Sequence, residues 1–427
     1  MKILTTRMEA HPQDSHTLVR YQATDGYKAA EQALTSMTPE AVHEEVRASN
    51  LRGRGGAGFP CGVKWGFLPP DTRPRYLVVN GDESEPGTFK DRQLLERDPH
   101  QLIEGTLLAA YAIDCHQAFI YIRGEYPKPA RRVEKALADA YAAKLLGSNI
   151  FGSGFDFDIT LHIGAGAYIC GEETALLNSL EGRRGEPRIK PPFPAVEGLY
   201  GKPTIVNNVE TLSNLPWIVL NGGAAYAAIG PEGSSGTRLF SLSGHVRKPG
   251  NYEIVMGMTF RELIDDLGGG VRDDRAVKCF IPGGASAPWF TAEQLDIPVT
   301  IDDVAAAGSM LGSGAIVVMD ETTNVVEAAH SIVSFFAHES CGLCTPCREG
   351  TSWLEMVLAR ILRGEGRPVD LDLLLDVSDN IAPGLGWPPK TTTICPLGPS
   401  AVSPITSILG HFREEVEAMI PAEVPVG

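Results

Sequence analysis

The sequence predicts a three-part chain: an α/β domain on a parallel sheet, a small α+β module, and a helical C-terminal region. Three observations carry this. Apolar strands alternate with helical stretches from about residue 51 to 215, the pattern of βαβ units. A boundary-like run, Gly230-Pro231-Glu232-Gly233-Ser234-Ser235-Gly236, then opens a stretch of short strands. From Thr323 onward, helical periodicity takes over.

Taken in order, residues 1 to about 50 read as a polar entry followed by helices over Gly26 to Leu34 and Thr38 to Ser49. Strands are expected at Arg75 to Asn80, Ala118 to Arg123 and Asp158 to Ile163, with a helix over Pro127 to Leu146 whose apolar residues fall at helical spacing. The middle module shows strands at Thr237 to Ser243, Ala276 to Ile281 and Ala315 to Met319 around one helix, Thr259 to Leu267. In the last part Trp353, Val357 and Ile361 fall at i, i+4, i+8, and Ile405 to Met419 reads as a terminal helix. The expected domains are therefore 1–236, 237–325 and 326–427. No internal repeat is present.

The chain has 427 residues and a formal charge of −16, with 43% hydrophobic and 21% charged residues. These fractions are ordinary for folded domains and exclude disorder as the main state. The acidic balance argues against nucleic-acid binding, which needs a basic face. No apolar run reaches the roughly 20 residues of a membrane span, and the N-terminus has neither a signal-peptide core nor an Arg-rich transit helix, so a cytosolic protein is expected.

The eight cysteines are unevenly spread. Cys61, Cys115, Cys170 and Cys279 stand alone, whereas Cys341, Cys344 and Cys347 are spaced C-x₂-C-x₂-C and Cys395 follows in Ile394-Cys395-Pro396. Tight spacing lets one loop supply three thiolates and a remote Cys the fourth, a recognised iron–sulfur arrangement. The alternatives are a structural zinc site, which more often uses two separated C-x₂-C pairs, and inert buried thiols. His338, three residues before Cys341, reads as a packed or capping residue rather than a ligand.

Three further segments carry chemistry. Gly53, Gly55 and Gly58 satisfy G-x-G-x-x-G, but the preceding segment reads as helix, so the usual dinucleotide fold is not expected. Five Gly in ten residues still let backbone N–H groups approach anionic oxygens, beside Arg54 and Lys64; a flexible loop is the alternative. In Val78-Val79-Asn80-Gly81-Asp82-Glu83-Ser84-Glu85, a strand ends in acids able to accept hydrogen bonds from ribose or ribityl hydroxyls; the alternative is a solvated acidic turn. Gly164 to Thr174 again follows a strand and opens a helix, where Glu172 and Glu173 suit the positive helix terminus and would repel a phosphate. Lys190-Pro191-Pro192-Phe193-Pro194 presents one cation and one aromatic ring, and Asn207-Asn208 places two amides after a short strand. No G-x-S-x-G, H-E-x-x-H or Walker A loop occurs, so cofactor-borne electron transfer is the expected chemistry.

Together the segments Gly53 to Lys64, Asn80 to Arg92, Gly164 to Thr211 and Glu339 to Gly350 resemble the NADH-binding flavoprotein subunits of bacterial respiratory complex I, in order along nearly the whole chain. The resemblance implies an α/β flavin and NADH domain, a β-grasp, ubiquitin-like middle domain, and a C-terminal helical bundle holding a [4Fe-4S] cluster. It implies FMN phosphate contacts at Gly53, Arg54, Gly55 and Lys64. Asn80, Asp82, Glu83, Gly164, Tyr168, Gly171, Glu172, Asn207, Asn208 and Thr211 would form the rest of the FMN pocket. The NADH side would comprise Phe59, Phe67, Glu85, Glu173, Lys190 and Phe193, with Glu85 and Glu173 disfavouring the extra phosphate of NADPH. Cys341, Cys344, Cys347 and Cys395 match the cluster ligands, and no side chain is expected to act as an essential general base. Implied partners are a thioredoxin-like [2Fe-2S] subunit and a large multi-cluster iron–sulfur subunit, on the cytoplasmic side of the inner membrane. The alternative is a diaphorase subunit of an NAD-reducing hydrogenase or NAD-dependent formate dehydrogenase. Departures from the family pattern are Cys61, where Thr or Ser is expected, and Pro396 and Pro399, which are expected to stiffen a loop near the flavin.

Overall fold

The computed structural model describes residues 1–421 and divides the chain into two units. The first comprises Met1–Ser84, Thr88–Phe240 and Asn251–Met258; the second comprises Glu85–Gly87, Ser241–Gly250 and the chain from Thr259.

In the first unit, strands β1 (Tyr76–Gly81), β2 (Gln117–Ile122), β3 (Asp158–Ile163) and β4 (Thr204–Asn208) form a wholly parallel sheet in the order β3-β2-β1-β4. The first three strands lie within a residue or two of their expected positions. Leu77, Val78 and Val79 are fully buried, as parallel strands covered on both faces require. The chain runs outward from β1 to β3 and then returns to the other side of β1 with β4. This creates a topological switch point between β1 and β4, where ligands of open α/β sheets bind beyond the carboxyl ends of the strands.

The Pro99–Ala112 helix packs on β1 and β2 and is buried along every residue except Tyr111. Its buried Glu104 is held by the backbone N–H groups of Tyr27 (2.9 Å) and Ala30 (3.0 Å) and by the Tyr21 hydroxyl. The polar entry expected over the first residues contains two short helices, Thr6–Ala10 and Leu18–Ala23. Of their apolar residues, Met8 and Tyr21 are nonetheless fully buried, whereas Val19 is exposed. Glu253 fastens the N-terminus by accepting from the N–H groups of Ile3, Leu4 and Thr5 at 2.7–3.1 Å.

In the second unit, the last residues of β5 (Thr237–Gly244) run parallel to β9 (Ala315–Asp320), which pairs antiparallel with β7 (Val277–Ile281), itself paired with β8 (Phe290–Thr291). Strand β6 (Gly250–Val255) and β8 were absent from the sequence expectation. The expected helix over Thr259 to Leu267 exists as a short α-helical turn, closed by a Thr259–Glu262 capping box, followed by a π-helical turn over Leu263–Leu267. Helices Val325–Glu339, Thr345–Leu362, Asp370–Ile381 and Leu397–His411 pack together around Val326, Ala329, Val333, Leu354, Leu358, Leu374 and Ile405.

Three expectations here need correction. Val357 and Ile361 are buried but Trp353 is 51% exposed, because the inward stripe of its helix is centred on Leu354, Val357, Leu358 and Ile361. The terminal helix is broken at Phe412 into Leu397–His411 and Arg413–Ala418. Pro396 and Pro399 do not stiffen a loop. Pro396 is the N-cap of the Leu397–His411 helix and Pro399 lies in its first turn, where the missing N–H of proline costs no helical hydrogen bond.

A side chain at Gly105 would place its Cβ 2.0 Å from the Leu212 carbonyl oxygen. In an exposed helix Gly→Ala stabilises by up to about 1 kcal/mol. Here the clash is with backbone, so Gly105→Ala is expected to destabilise the protein by about 1–3 kcal/mol in equilibrium urea unfolding.

Candidate functional site

The glycine loop is a closed structure rather than a flexible tether. Gly53 N–H donates to the Phe59 carbonyl (2.9 Å) and Arg52 Nε to the Gly58 carbonyl (2.6 Å). The segment before it is the Pro39–Ala48 helix, so the loop is not the strand-to-helix turn of a dinucleotide fold, as expected. It is pinned instead to the end of β4. Arg54 N–H donates to Thr211 Oγ1 (2.9 Å), Trp65 Nε1 to Asn207 Oδ1 (2.9 Å) and Lys64 Nζ to the Val206 carbonyl (2.9 Å). A Cβ at Gly55 would lie 3.0 Å from Asn208 Cβ, so glycine is what allows the loop to lie on the strand end.

Across the switch point, the end of β1 is fixed as firmly. Asn80 Nδ2 donates to the Gly171 carbonyl (2.9 Å), and Asn80 Oδ1 accepts from Asp82 N–H (3.0 Å). A Cβ on Gly171 would crowd Asp82 Oδ2 at 3.3 Å. The Glu83 carboxylate accepts from Asp91 N–H (2.7 Å), Arg92 N–H (2.9 Å) and the Tyr126 hydroxyl (3.0 Å), which caps the Lys90–Arg97 helix. Burial, and after it the neighbouring Asp91 carboxylate, push Glu83 up to about 7. Because β1 and β4 are in register, Asn80 lies directly beside Asn208.

At the third segment, Glu172 N-caps the Glu173–Leu180 helix by accepting from Thr174 and Ala175 N–H, both at 2.9 Å. Lys190 Nζ bridges Glu172 (2.9 Å) and Glu173 (3.2 Å), and Lys64 Nζ holds the other Glu173 oxygen (3.0 Å). Burial would raise Glu173, but the two lysines outweigh it and hold the carboxyl below its usual range. Tyr168 stands half-buried in the 3₁₀ turn leading to this helix. Gly164 has a structural reason of its own: a Cβ there would lie 2.3 Å from the Tyr121 hydroxyl.

Two expected roles are revised. Arg54 does not present a cation at the loop. It is fully buried, and its Nη2 donates to the Tyr226 hydroxyl and to the carbonyls of Ser235 (2.9 Å) and Thr237 (3.0 Å). The amide of Asn208 is likewise engaged by protein, its Nδ2 on Asp91 Oδ2 (2.6 Å) and its Oδ1 on the N–H groups of Glu210 and Thr211. By contrast Phe59, Phe67 and Phe193 are 45%, 56% and 57% exposed, and the first two rings lie 5.9 Å apart. Exposed aromatic faces on a rigid loop suit stacking with a planar ring. Glu85 belongs to the second unit, where its Oε1 accepts from Ser286 N–H (2.7 Å).

These features fit a flavin mononucleotide. Backbone at Gly55 and Gly171 packs tightly enough that a side chain would crowd Asn208 and Asp82, at the crevice where parallel sheets bind ligands, and flanking carboxylates and amides are held in place. The residue set missed from sequence is Trp65, Lys90, Asp91, Tyr126 and Glu210. Lys90 and Asp91 fall in the Asn80 to Arg92 segment without an assigned role, and nothing local reveals that both are buried.

In the second unit, Cys341, Cys344 and Cys347 lie on one loop, with Cys344 the N-cap of the Thr345–Leu362 helix and Cys347 in its first turn. The Cys347 sulfur lies 3.3 Å from Ser340 Oγ; burial pushes the thiol up to about 11, and the Cys344 and Cys341 sulfurs add to the shift. A cationic iron centre would draw off the protons of thiols gathered on one turn. Arg348 Nη1 holds the Gly342 carbonyl (2.7 Å), shaping the turn between the first two cysteines. Cys395 is buried immediately before the Leu397–His411 helix. Among the described residues no three His, Cys, Asp or Glu side chains are drawn into a metal shell, so the sulfurs are neighbours rather than a closed set. His338 is exposed in the last turn of the Val325–Glu339 helix, so it is not a packed residue.

Cys61 packs beneath the glycine loop, its Sγ 3.7 Å from Asn207 Nδ2, and burial pushes the thiol up to about 12, as it does for Cys115. Alkylation of cluster-free folded protein by iodoacetamide at neutral pH, read by peptide mass spectrometry, is expected to modify the partly exposed Cys341 and Cys344 and to leave Cys61 and Cys115 unmodified.

Comparison with known proteins accords with this geometry. Residues 46–217 match the Nuo51 FMN-binding domain, 238–318 an SLBB domain, and 327–419 the NADH-ubiquinone oxidoreductase-F iron-sulfur binding region. The F subunit of NADH-quinone oxidoreductase from Mycobacterium tuberculosis is 54% identical over 415 residues, covering 95% of this chain and 91% of that protein. Its counterpart in Escherichia coli K12 is 46% identical over 405 residues, covering 94% and 89%. In structure, an NAD⁺-reducing [NiFe]-hydrogenase in the H₂-reduced state is similar with a TM-score of 0.85 and 36% identity, over 95% of this chain and 67% of that one. No helix among the described residues is long and apolar enough to cross a membrane. With a parallel-sheet crevice at one end of the sequence, a thiol loop at the other, and relatives alike over nearly their whole length, the chain belongs to the family of NADH-quinone oxidoreductase F subunits.

Proposed function

We propose that this chain is the electron-input subunit of an NADH:quinone oxidoreductase, which oxidises NADH with FMN and a [4Fe-4S] cluster. The observation that carries it is the β1–β4 crevice, with the glycine loop laid on Asn208 and the capped Glu172–Glu173 terminus held by Lys64 and Lys190. When bound, FMN accepts the hydride of NADH and the cluster takes electrons singly, turning a two-electron donor into a one-electron chain.

The chain's own work is positioning. Gly53, Gly55 and Lys64 are proposed to hold the FMN phosphate, with the buried Arg54 acting only through its charge. Asn80, Asp82, Glu83, Gly164, Tyr168, Gly171, Glu172, Asn207, Asn208 and Thr211 shape the pocket. Several of these side chains are already committed to protein hydrogen bonds, so the ligand is met largely by backbone groups whose positions they fix. Phe59, Phe67 and Phe193 offer faces for the NADH rings, and Lys190, Glu173 and Glu85 set the charge that NADH meets. No group is required to abstract a proton. Cys341, Cys344, Cys347 and Cys395 are proposed as the four cluster ligands. The proposed domains are 1–236, 237–325 and 326–427. A thioredoxin-like [2Fe-2S] subunit and a large multi-cluster subunit are proposed as electron acceptors, on the cytoplasmic side of the inner membrane. A hydrogenase diaphorase role is less well supported: the hydrogenase is 36% identical, the two quinone-oxidoreductase relatives 46% and 54%.

An anaerobic visible spectrum of the purified protein is expected to show flavin bands that bleach with NADH over a broad iron–sulfur absorption. A flavin-free, zinc-containing protein contradicts the reading. Cys395→Ser is expected to lose the iron–sulfur absorption and electron paramagnetic resonance signal while keeping NADH bleaching of the flavin. Glu173→Gln is expected to raise the NADPH to NADH ratio of kcat/KM by about tenfold, about 1.4 kcal/mol. An unchanged ratio removes Glu173 from coenzyme choice.

A further inference from the structure

Beneath the crevice lies a cluster of charges of which the mechanism above uses only Glu83 and Arg54. Lys90 is 1% exposed, and its Nζ contacts Asp91 Oδ1 (2.9 Å) and Glu210 Oε2 (2.7 Å), whose side chains are 4% and 0% exposed. Glu83 accepts from the N–H of Asp91, and the fully buried Arg238 and Arg54 lie close enough to feel Glu210 or each other. The set therefore holds three carboxylates (Glu83, Asp91, Glu210) and three cations (Lys90, Arg54, Arg238). Burial alone would lower Lys90, but Asp91, Glu210 and Glu83 outweigh it and keep the lysine charged.

Buried ion sets of this kind are poor sources of stability, since apolar residues of equal volume often do as well or better. What this one holds is more informative. Asp91 spans the switch point: its backbone N–H binds Glu83, which follows β1, and its Oδ2 binds the amide of Asn208, which ends β4. Asn208 in turn caps the Val209–Ser213 helix and supports Gly55. Glu210 reaches the other way, accepting from Leu239 N–H (2.9 Å). One aspartate thus ties both walls of the crevice, and one buried lysine neutralises it.

We propose that Asp91 is a positioning residue for the flavin, fixing the separation of the β1 and β4 ends through Glu83 and Asn208, and that Lys90 with Asp91 and Glu210 sets the local charge which the flavin meets. The inference rests on the FMN reading given above. The reduced flavin is anionic near neutral pH, so removing a buried negative charge beside it favours reduction, and removing a positive charge opposes it.

The test uses the whole chain, with FMN as the probe. FMN affinity is measured by fluorescence on adding FMN to flavin-depleted protein, the flavin midpoint potential by redox titration, and thermal unfolding serves as the control for folding. Asp91→Ala is expected to weaken FMN binding at least tenfold. Asp91→Asn, which keeps the shape and an acceptor for Asn208, is expected to move the potential upward, and Lys90→Met downward. Damage to packing alone has no reason to move the two in opposite directions. The double variant Lys90→Met/Glu210→Gln removes one charge of each sign and is expected to stay near the native potential, and it supplies the comparison with Asp91→Asn if Lys90→Met does not fold. Potential shifts of the same sign, or native potentials and affinity in folded Asp91 variants, overturn the inference while leaving the FMN reading intact. Failure of the native chain to bind FMN overturns both.

Discussion

The pairing of β4 beside β1 is the constraint on which the rest of the first unit depends. A chain that laid its fourth strand beyond β3 would keep the same hydrophobic runs and lose the crevice. By returning to the far side of β1, the chain puts two strand ends side by side, Asn80 next to Asn208, with the succeeding loops diverging from them. Two of the segments assigned to ligand binding in this unit are hung on those two ends. The glycine loop is bonded to the β4 side through Val206, Asn207 and Thr211, and the Glu172 helix terminus to the β1 side through Gly171 and Asn80.

How much of this is legible in the sequence depends on how local the cause is. Strands β1 and β2 are largely apolar runs and β3 alternates polar and apolar residues, and their parallel arrangement follows from the helices between them, so pattern alone places them. β6 is not legible: Gly250-Asn251-Tyr252-Glu253 has no apolar alternation, and its Glu253 matters because it binds backbone near residue 4, some 250 positions away. The thiol loop declares itself by spacing, since three cysteines two residues apart have few other uses. The glycine loop declares its flexibility but not its anchor, because the bonds that pin it come from more than 140 residues downstream.

The same distinction separates side chains whose surroundings are local from those whose reading the fold revises. Arg54 sits among glycines and reads as a phosphate cation, yet its guanidinium lies among the carbonyls of Ser235 and Thr237. Lys90 and Asp91 follow an acidic segment whose bland reading is a solvated turn, yet they are among the most buried charges in the unit. Residue type decides which side chains are charged; only tertiary pairing decides which are desolvated, and a desolvated charge needs partners that no local window contains.

The division of labour inside the crevice follows from this. Side chains expected to touch the flavin, namely Asn80, Glu83, Asn207 and Asn208, are largely occupied in holding loops and helix starts. A side chain with its hydrogen bonds already made has little freedom left to lose when a ligand arrives. Its neighbours' backbone N–H and carbonyl groups are therefore presented at fixed positions, and binding does not have to order them. The groups left exposed are of a different kind: the three phenylalanine faces, which are proposed to act by stacking. The Lys64–Glu173–Lys190 set is partly exposed and internally paired, and its charges rearrange at lower cost than buried ones. On the proposed reading, the rigid hydrogen-bonded residues hold a resident cofactor, while exposed rings and partly exposed charges meet a coenzyme that must leave after each turnover.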